Sequence, residues 1–415
     1  MTRRFRDAES RTGGRLRGGA LSEKVRQHSR EAPNPFVTDV FYLISSLAQG
    51  GAERHLLDLI RRLDPNRYAA DICVLTDRVH FKDELPPSQP RYRLKSRVWA
   101  SPFAVARLLS ALRAARPQIL HTYMNDANLW GRLATYVGPK PRVITSVHLD
   151  DMSSSYRFLE RRLAHRSDRI VAHSRSIQAL LVDRLGIASE RVVVIANGID
   201  PDQFRPSNAV EVAAARETYD LGVNNFVALM AARISPQKNQ LLVVEALGLL
   251  KTAGALPSNF LLLLAGRVSS EAYHRRVRAA LERTGVGDQV RFLGPVRDMR
   301  SLYGAADVVL MPSQTEASPI AALEALACGV PVLLSAASNT DAVLIDGQHG
   351  WEIGDVTAAS IADVVRDIVA TPSTVRRDVS VAARSHVLSR FTTARVADDF
   401  MRLYDDVSAR PHQGE

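Results

Sequence analysis

From residue 38 onward, short apolar or β-branched runs alternate with stretches whose apolar residues recur every three to four positions. Switching between a strand-like and a helical period is the mark of βαβ units, and it points to parallel strands covered by helices. Strands are expected at 40–44, 71–75, 118–120, 143–147, 169–172 and 192–195, and again at 226–230, 260–264, 290–292, 308–311 and 332–334. Helices are expected between them at 52–63, with Leu56, Leu57, Ile60 and Leu63 on one face, and at 239–251, 271–283, 319–328 and 358–370. The run 380–407 also reads as helical, and 201–225, with Pro201 and Pro206 around Phe204, reads as a crossing between two halves. The expected class is α/β, with two Rossmann-like, doubly wound domains facing each other across a cleft. Residues 36–205 would form the first domain, 206–390 the second, and 391–415 a helix returning to the first. Ligands of such pairs bind at the carboxyl ends of the strands.

Charge narrows the function classes. The net charge of +10 is concentrated: residues 1–35 carry nine Lys/Arg and four Asp/Glu, and 91–116 carry seven Lys/Arg and no acid. The remainder is near neutral, which does not describe a nucleic-acid binder. Residues 1–35 are rich in Arg, Gly and Ser and are expected to be a disordered basic tail. Within the basic segment a helix over 102–115 carries Phe103, Val105, Leu108, Leu109 and Leu112. One face of it could meet anionic lipid as a peripheral contact; the alternative, slightly favoured, is a helix packed on the sheet with its arginines in water. Two cysteines, Cys73 and Cys328, make neither a disulfide framework nor a zinc site alone. They point to a reducing compartment, and the chain shows no apolar run long enough to span a bilayer and no cleavable signal. A cytoplasmic location is expected, with any membrane contact at the inner face.

Three strand-to-helix loops carry chemistry. In 312–331 an expected strand ends in a polar loop, and a helix is expected to start at Ser318-Pro319, with Ser318 as N-cap and Pro319 at the first helical position. Such a helix start is an anion site. Glu316 precedes it and Glu324 follows, suited to accept hydrogen bonds from sugar hydroxyls on either side of a bound diphosphate. The alternative is a loop charge and a solvated helix residue. After 226–230, Arg233 and Lys238 offer a forked donor set and a point charge for a diphosphate, or are simply solvated. No DxD-like acid pair lies near, so these cations would take the place of a divalent metal. After the first strand, Gly50 and Gly51 allow close approach of backbone to a ligand, or merely a tight turn. Three histidines, His121, His148 and His173, are expected at ends of first-half strands, where each is either structural or turned to the cleft. The other histidines lack metal-ligand spacing.

Together these pieces resemble the retaining nucleotide-sugar glycosyltransferases of the GT-B fold, the group 1 or family 4 type. The resemblance runs from about Phe41 to Tyr404. It rests on Gly50-Gly51-Ala52-Glu53, His148, Ala196-Asn197-Gly198-Ile199-Asp200 with Phe204 and Pro206, Arg233 with Lys238, Ala265-Gly266, Phe292-Leu293-Gly294, and Glu316 through Glu324 followed by Ala327-Cys328-Gly329-Val330-Pro331-Val332. The resemblance implies that Glu316 contacts the donor sugar and Glu324 the ribose. It implies that Arg233 and Lys238 hold the diphosphate with backbone N–H groups at Gly50, Gly51 and 318–321, among them Ser318 and Ile320. Val268 and Leu293 would lie near the base, and His148 beside the reacting sugar. The implied reaction is transfer with retention, from a nucleotide-diphosphate sugar, UDP-linked first, to a hydroxyl of an unidentified acceptor, with no metal and no cofactor. One departure stands out. After Ser335 the family's glycine-rich turn and glutamate are replaced by Ala336-Ala337-Ser338-Asn339-Thr340-Asp341, in a loop expected to shape the sugar pocket. That departure also motivates a second reading, a GT-B-like nucleotide- or membrane-binding protein without transfer; a nucleotide-sugar epimerase on the same fold is a third.

Overall fold

The computed structural model describes residues 37–47, 51–76, 91–93, 102–148 and 153–410, so Gly50, the expected 1–35 tail and residues 149–152 lie outside the described residues. The first half runs β1 (Thr38–Ile44), α1 (Gly51–Arg62), β2 (Tyr68–Val74), β3 (Arg91–Arg93), α2 (Pro102–Ala115), β4 (Ile119–Tyr123), α3 (Asn125–Val137), β5 (Arg142–Val147), α4 (Ser154–Leu163), β6 (Arg169–Ala172), α5 (Arg175–Ala179) and β7 (Val192–Val194). These strands form one seven-stranded sheet in the order β3-β2-β1-β4-β5-β6-β7, all pairs parallel. The two-residue period of β1 sorts its side chains. Phe41 and Leu43 pack with Leu108 and Leu112 of α2, while Val40, Tyr42 and Ile44 pack with α1.

The second half runs α6 (Ala209–Thr218), β8 (Phe226–Ala231), α7 (Gln240–Thr252), β9 (Phe260–Ala265), α8 (Glu271–Thr284), β10 (Val290–Gly294), α9 (Met299–Ala305), β11 (Val308–Met311), α10 (Ile320–Ala327), β12 (Val332–Ser335), β13 (Gly350–Ile353), α11 (Ala358–Ala370), α12 (Ser373–Arg390) and α13 (Thr393–Ala409). Its sheet has the order β10-β9-β8-β11-β12-β13. Continuous apolar strands such as β9, buried along its whole length, are what a sheet covered on both faces requires. In both sheets the strand order reverses beside the first strand, between β1 and β4 and between β8 and β11. These are the switch points at which doubly wound folds bind ligands.

Several expectations are corrected. β4 runs to Tyr123, which puts His121 inside a strand rather than at its end. There it is fully buried, with Nδ1 against the Tyr404 hydroxyl (2.8 Å) and Nε2 against Ser146 Oγ (2.9 Å). The apolar face of α2 packs on the sheet, the alternative favoured above, with Phe103, 80% exposed, as the exception. Among the described residues no helix is long and apolar enough to cross a membrane.

The expected last helix is two helices, α12 and α13, broken at Phe391 and Thr392. At the break the chain pairs with the linker between the halves: Ile199 N donates to Phe391 O (2.8 Å) and Thr393 N to Ile199 O (2.9 Å). Gly198 is required there, because a Cβ would lie 2.7 Å from the Thr392 carbonyl. Beyond the break, Val396, Phe400, Leu403, Tyr404 and Val407 of α13 join the core around α1 and β1.

Candidate active site

Two loops at the second switch point are strapped together. After β8 the chain makes a short 3₁₀ turn (Pro236–Lys238), and Asn239 adopts the left-handed conformation (φ 58°), which asparagine tolerates. The Asn239 amide donates to Pro312 O (2.7 Å), Gln237 Nε2 to Thr315 O (2.9 Å), and Gln314 N to Gln237 O (2.8 Å). Below them Ser335 Oγ donates to Ser313 O (2.6 Å), fixing the loop after β11 from beneath. This strapping brings Lys238 Nζ to donate to Glu316 Oε1, with both side chains largely shielded from water.

The pair opens onto a cavity of about 550 Å³ lined by both halves and the linker. Of the expected site residues, Gly51, Lys238, Glu316, Ser318, Ile320 and Glu324 line it. α10 begins at Ile320, not at Ser318, and Pro319 occupies the cap position with no side-chain cap. The Pro319 carbonyl instead accepts from Ala322 and Leu323 (2.9 and 3.1 Å). Gly51, the first residue of α1, faces this helix start so closely that a Cβ would lie 2.7 Å from Ile320 Cδ1. Two helix N-termini, each the positive end of its peptide dipoles, therefore converge on one space, where their N–H groups and dipoles favour an anion.

One helical turn into α10, Glu324 accepts a hydrogen bond from the Tyr303 hydroxyl (2.8 Å). Burial pushes its carboxyl up to about 7, with Tyr303 and the charge of Arg54 acting in the opposite direction.

The remaining expected residues sit elsewhere. Arg233 is exposed, and its carbonyl accepts from Gln240 Nε2 (2.8 Å). Val268 bridges to Ile234, and Leu293 lies in β10. These three fringe the carboxyl edge of the second sheet, where Gly266 N donates to Gly294 O (2.8 Å), without lining the cavity. Pro319 does not line it either, and Gly50 lies outside the described residues. His148 follows β5 in a group of rings, stacked on His173 with centroids 3.9 Å apart and 5.8 Å from His55. His55, not His148, reaches the cavity lining. The 336–341 loop does not line it: Asp341 instead accepts from Arg175 N (3.1 Å) beyond β6.

Sequence reasoning missed Arg54, His55 and Asp58 of α1, and Arg297 and Arg300 before and within α9, all of which line the cavity. The signal for the first set was present: Gly51, Arg54, His55 and Asp58 share one helical face. The arrangement offers cations and helix starts for an anionic group, with carboxylates beside it to accept hydrogen bonds from hydroxyls.

Comparisons with known proteins agree with this geometry. A family model described as glycosyl transferases group 1 matches residues 213–386, and one described as glycosyltransferase family 4 matches residues 49–203. A D-inositol 3-phosphate glycosyltransferase of Geodermatophilus obscurus is 30% identical over 59% of this chain, an alignment spanning only about half (54%) of that protein. The alpha-maltose-1-phosphate synthase of Mycolicibacterium smegmatis is 26% identical over 87% of this chain and 96% of its own length. Among solved structures, Anabaena Alr3699/HepE, determined with UDP and glucose, covers 89% of this chain and all of its own, with TM-score 0.78 at 20% identity. A glycosyltransferase from Rickettsia africae has TM-score 0.79 at 19% identity, covering 90% of this chain and all of its own. Those two likenesses show the fold. With its two parallel sheets, its cleft and two family models that together match most of its length, the chain belongs to the group 1 glycosyltransferases of the GT-B fold.

Proposed function

We propose that the protein is a retaining glycosyltransferase that moves a sugar from a nucleotide-diphosphate sugar, UDP-linked first, to a hydroxyl acceptor without a metal ion. The observation that carries this reading is the convergence of the α1 and α10 N-termini on a cavity that also holds the Lys238–Glu316 pair. A diphosphate arriving there meets N–H groups and Lys238, with Arg54, Arg297 and Arg300 also on the walls. It competes with Glu316 for the Lys238 ammonium. The released Glu316 carboxylate can then accept hydrogen bonds from the sugar, and Glu324 from the ribose hydroxyls. Charge that develops on the departing phosphate oxygens is stabilised by groups already in place, the role a divalent metal plays elsewhere. The sugar C1–O bond to the diphosphate breaks, and the acceptor oxygen bonds C1 from the same face. The acceptor proton goes to the departing phosphate oxygen. The resemblance gives His148 a hydrogen bond to a hydroxyl of the reacting sugar; its ring lies one ring back from the cavity, 5.8 Å from that of His55, which lines it. The HepE structures, determined with UDP, with UDP and glucose, and with UDP-glucose, support UDP as the first donor to try.

The test is nucleotide diphosphate release from a panel of UDP- and GDP-sugars with acceptor extracts. Release with one donor, together with NMR of the product anomer showing retention, is expected; no release from any donor would refute the transfer reading. Product NMR also separates a transferase from an epimerase. The replaced loop at 336–341 motivates a binding-only reading. Lys238 and Glu324 would serve binding as well as transfer, so what counters that reading is the retained Glu316, the acid set beside the donor sugar.

A further inference from the structure

Beside the cavity, on the first half, three imidazoles arrive from three separate elements: His55 from α1, His148 after β5 and His173 after β6. One ring nitrogen of each lies within 4.8 Å of one from each of the others. His55 and His173 are 7% and 1% exposed. Both nitrogens of His55, and Nε2 of His148 and of His173, are buried and have no hydrogen-bond partner among the described residues. Buried polar atoms are normally satisfied, so several orphans in one cluster call for a ligand. The His173 tautomer is fixed as well. Its Nδ1 faces the Ile195 carbonyl at 2.9 Å, which can only accept, so Nδ1 carries the proton and Nε2 presents its lone pair. Burial holds all three rings well below the ordinary histidine range, which keeps them neutral, the form that ligates. The nearby His121 is engaged at both nitrogens and is not available as a fourth ligand.

We infer that His55, His148 and His173 form a binding site for one borderline divalent transition-metal cation, such as Zn²⁺, with a further coordination position open to solvent or ligand. Three neutral imidazoles suit Zn²⁺, Ni²⁺ or Cu²⁺, whereas Mg²⁺ and Ca²⁺ demand oxygen donors. Ligation turns the His148 ring out of its stack on His173 and draws the nitrogens together. It also occupies His148, so such a cation inhibits transfer; this consequence alone rests on the role proposed for His148 above.

The test uses the full chain without an affinity tag, stripped of metal by a chelator. Calorimetric titration with ZnCl₂ and visible absorption with Co²⁺ are expected to show one cation per chain, with the absorption of a nitrogen-ligated Co²⁺. His173→Asn, which can still donate to the Ile195 carbonyl, is expected to weaken binding at least tenfold. His55→Gln gives a second variant should the first fail to fold, as checked by thermal unfolding. No binding, or binding unchanged in both variants, overturns the site. In the transfer assay, Zn²⁺ is expected to lower the wild-type rate but not the rate of His173→Asn relative to its own zinc-free value. Stoichiometric binding without inhibition leaves the site standing and overturns the role given to His148.

Discussion

Glu324→Gln isolates the electrostatic cost of an acid held in the cavity wall. Burial raises the Glu324 carboxyl from an ordinary 4.5 to about 7. The native state therefore holds this proton more tightly than the unfolded chain does. The associated stability is fully present below about pH 4.5 and is lost as pH rises through about 7. A shift of this size corresponds to at most about 3 kcal/mol, and water in the cavity reduces it. Glutamine keeps the shape and can still accept from the Tyr303 hydroxyl, but it does not titrate. Urea unfolding of both proteins across this range is the assay. The difference between them is the quantity to read, because the buried histidines titrate in both. Near pH 4.5 the two should be equally stable; by pH 8 the variant should be the more stable by about 1–3 kcal/mol. Parallel stability curves would refute the assignment. The same variant should bind UDP roughly tenfold more weakly, since a hydrogen bond to a charged acceptor is worth about 1.5–3 kcal/mol. Between pH 6 and 8 wild-type affinity for UDP should rise more steeply than that of the variant, the terminal phosphate of UDP titrating alike in both.

Arg132 of α3 and Glu160 of α4 form a buried two-pronged ion pair (2.9 and 2.5 Å). Arg132→Ala leaves the carboxylate buried and unpaired and should cost about 3–5 kcal/mol in denaturant unfolding. The double variant Arg132→Met, Glu160→Leu should recover most of that loss. Gly198→Ala drives a methyl into the Thr392 backbone and should cost about 1–3 kcal/mol, read as a lowered Tm.

The long apolar strands, β8, β9 and β11 among them, were legible because strands covered on both faces must be apolar throughout. β3 and β13 were not: a three-residue Arg-Tyr-Arg run and a four-residue Gly-Trp-Glu-Ile run become strands only through their partners, as where Arg91 pairs with Ile72. The end of β4 was hidden for a related reason. His121 and Thr122 are polar yet buried, satisfied by Ser146, Tyr404 and Asn128, and hydropathy cannot see such pairing. In the site, residues at the switch-point loops were readable because strand-to-helix turns announce themselves. Arg54 and Asp58 were missed, because nothing in their spacing separates them from ordinary helix surface; only the opposing half turns that face into a cavity wall. Ser318-Pro319 suggested a capped helix start, but Pro319 itself takes the cap position, and no side chain covers the first turn.

Calorimetric titration of UDP into wild type and Lys238→Ala tests the central claim, that this cleft holds a nucleotide diphosphate through Lys238 and two helix starts. One UDP per chain is expected for wild type. Removing a charge-assisted contact should weaken binding at least tenfold while thermal unfolding shows the variant folded. Absence of UDP binding to the wild type, or equal affinity in both proteins, would contradict it.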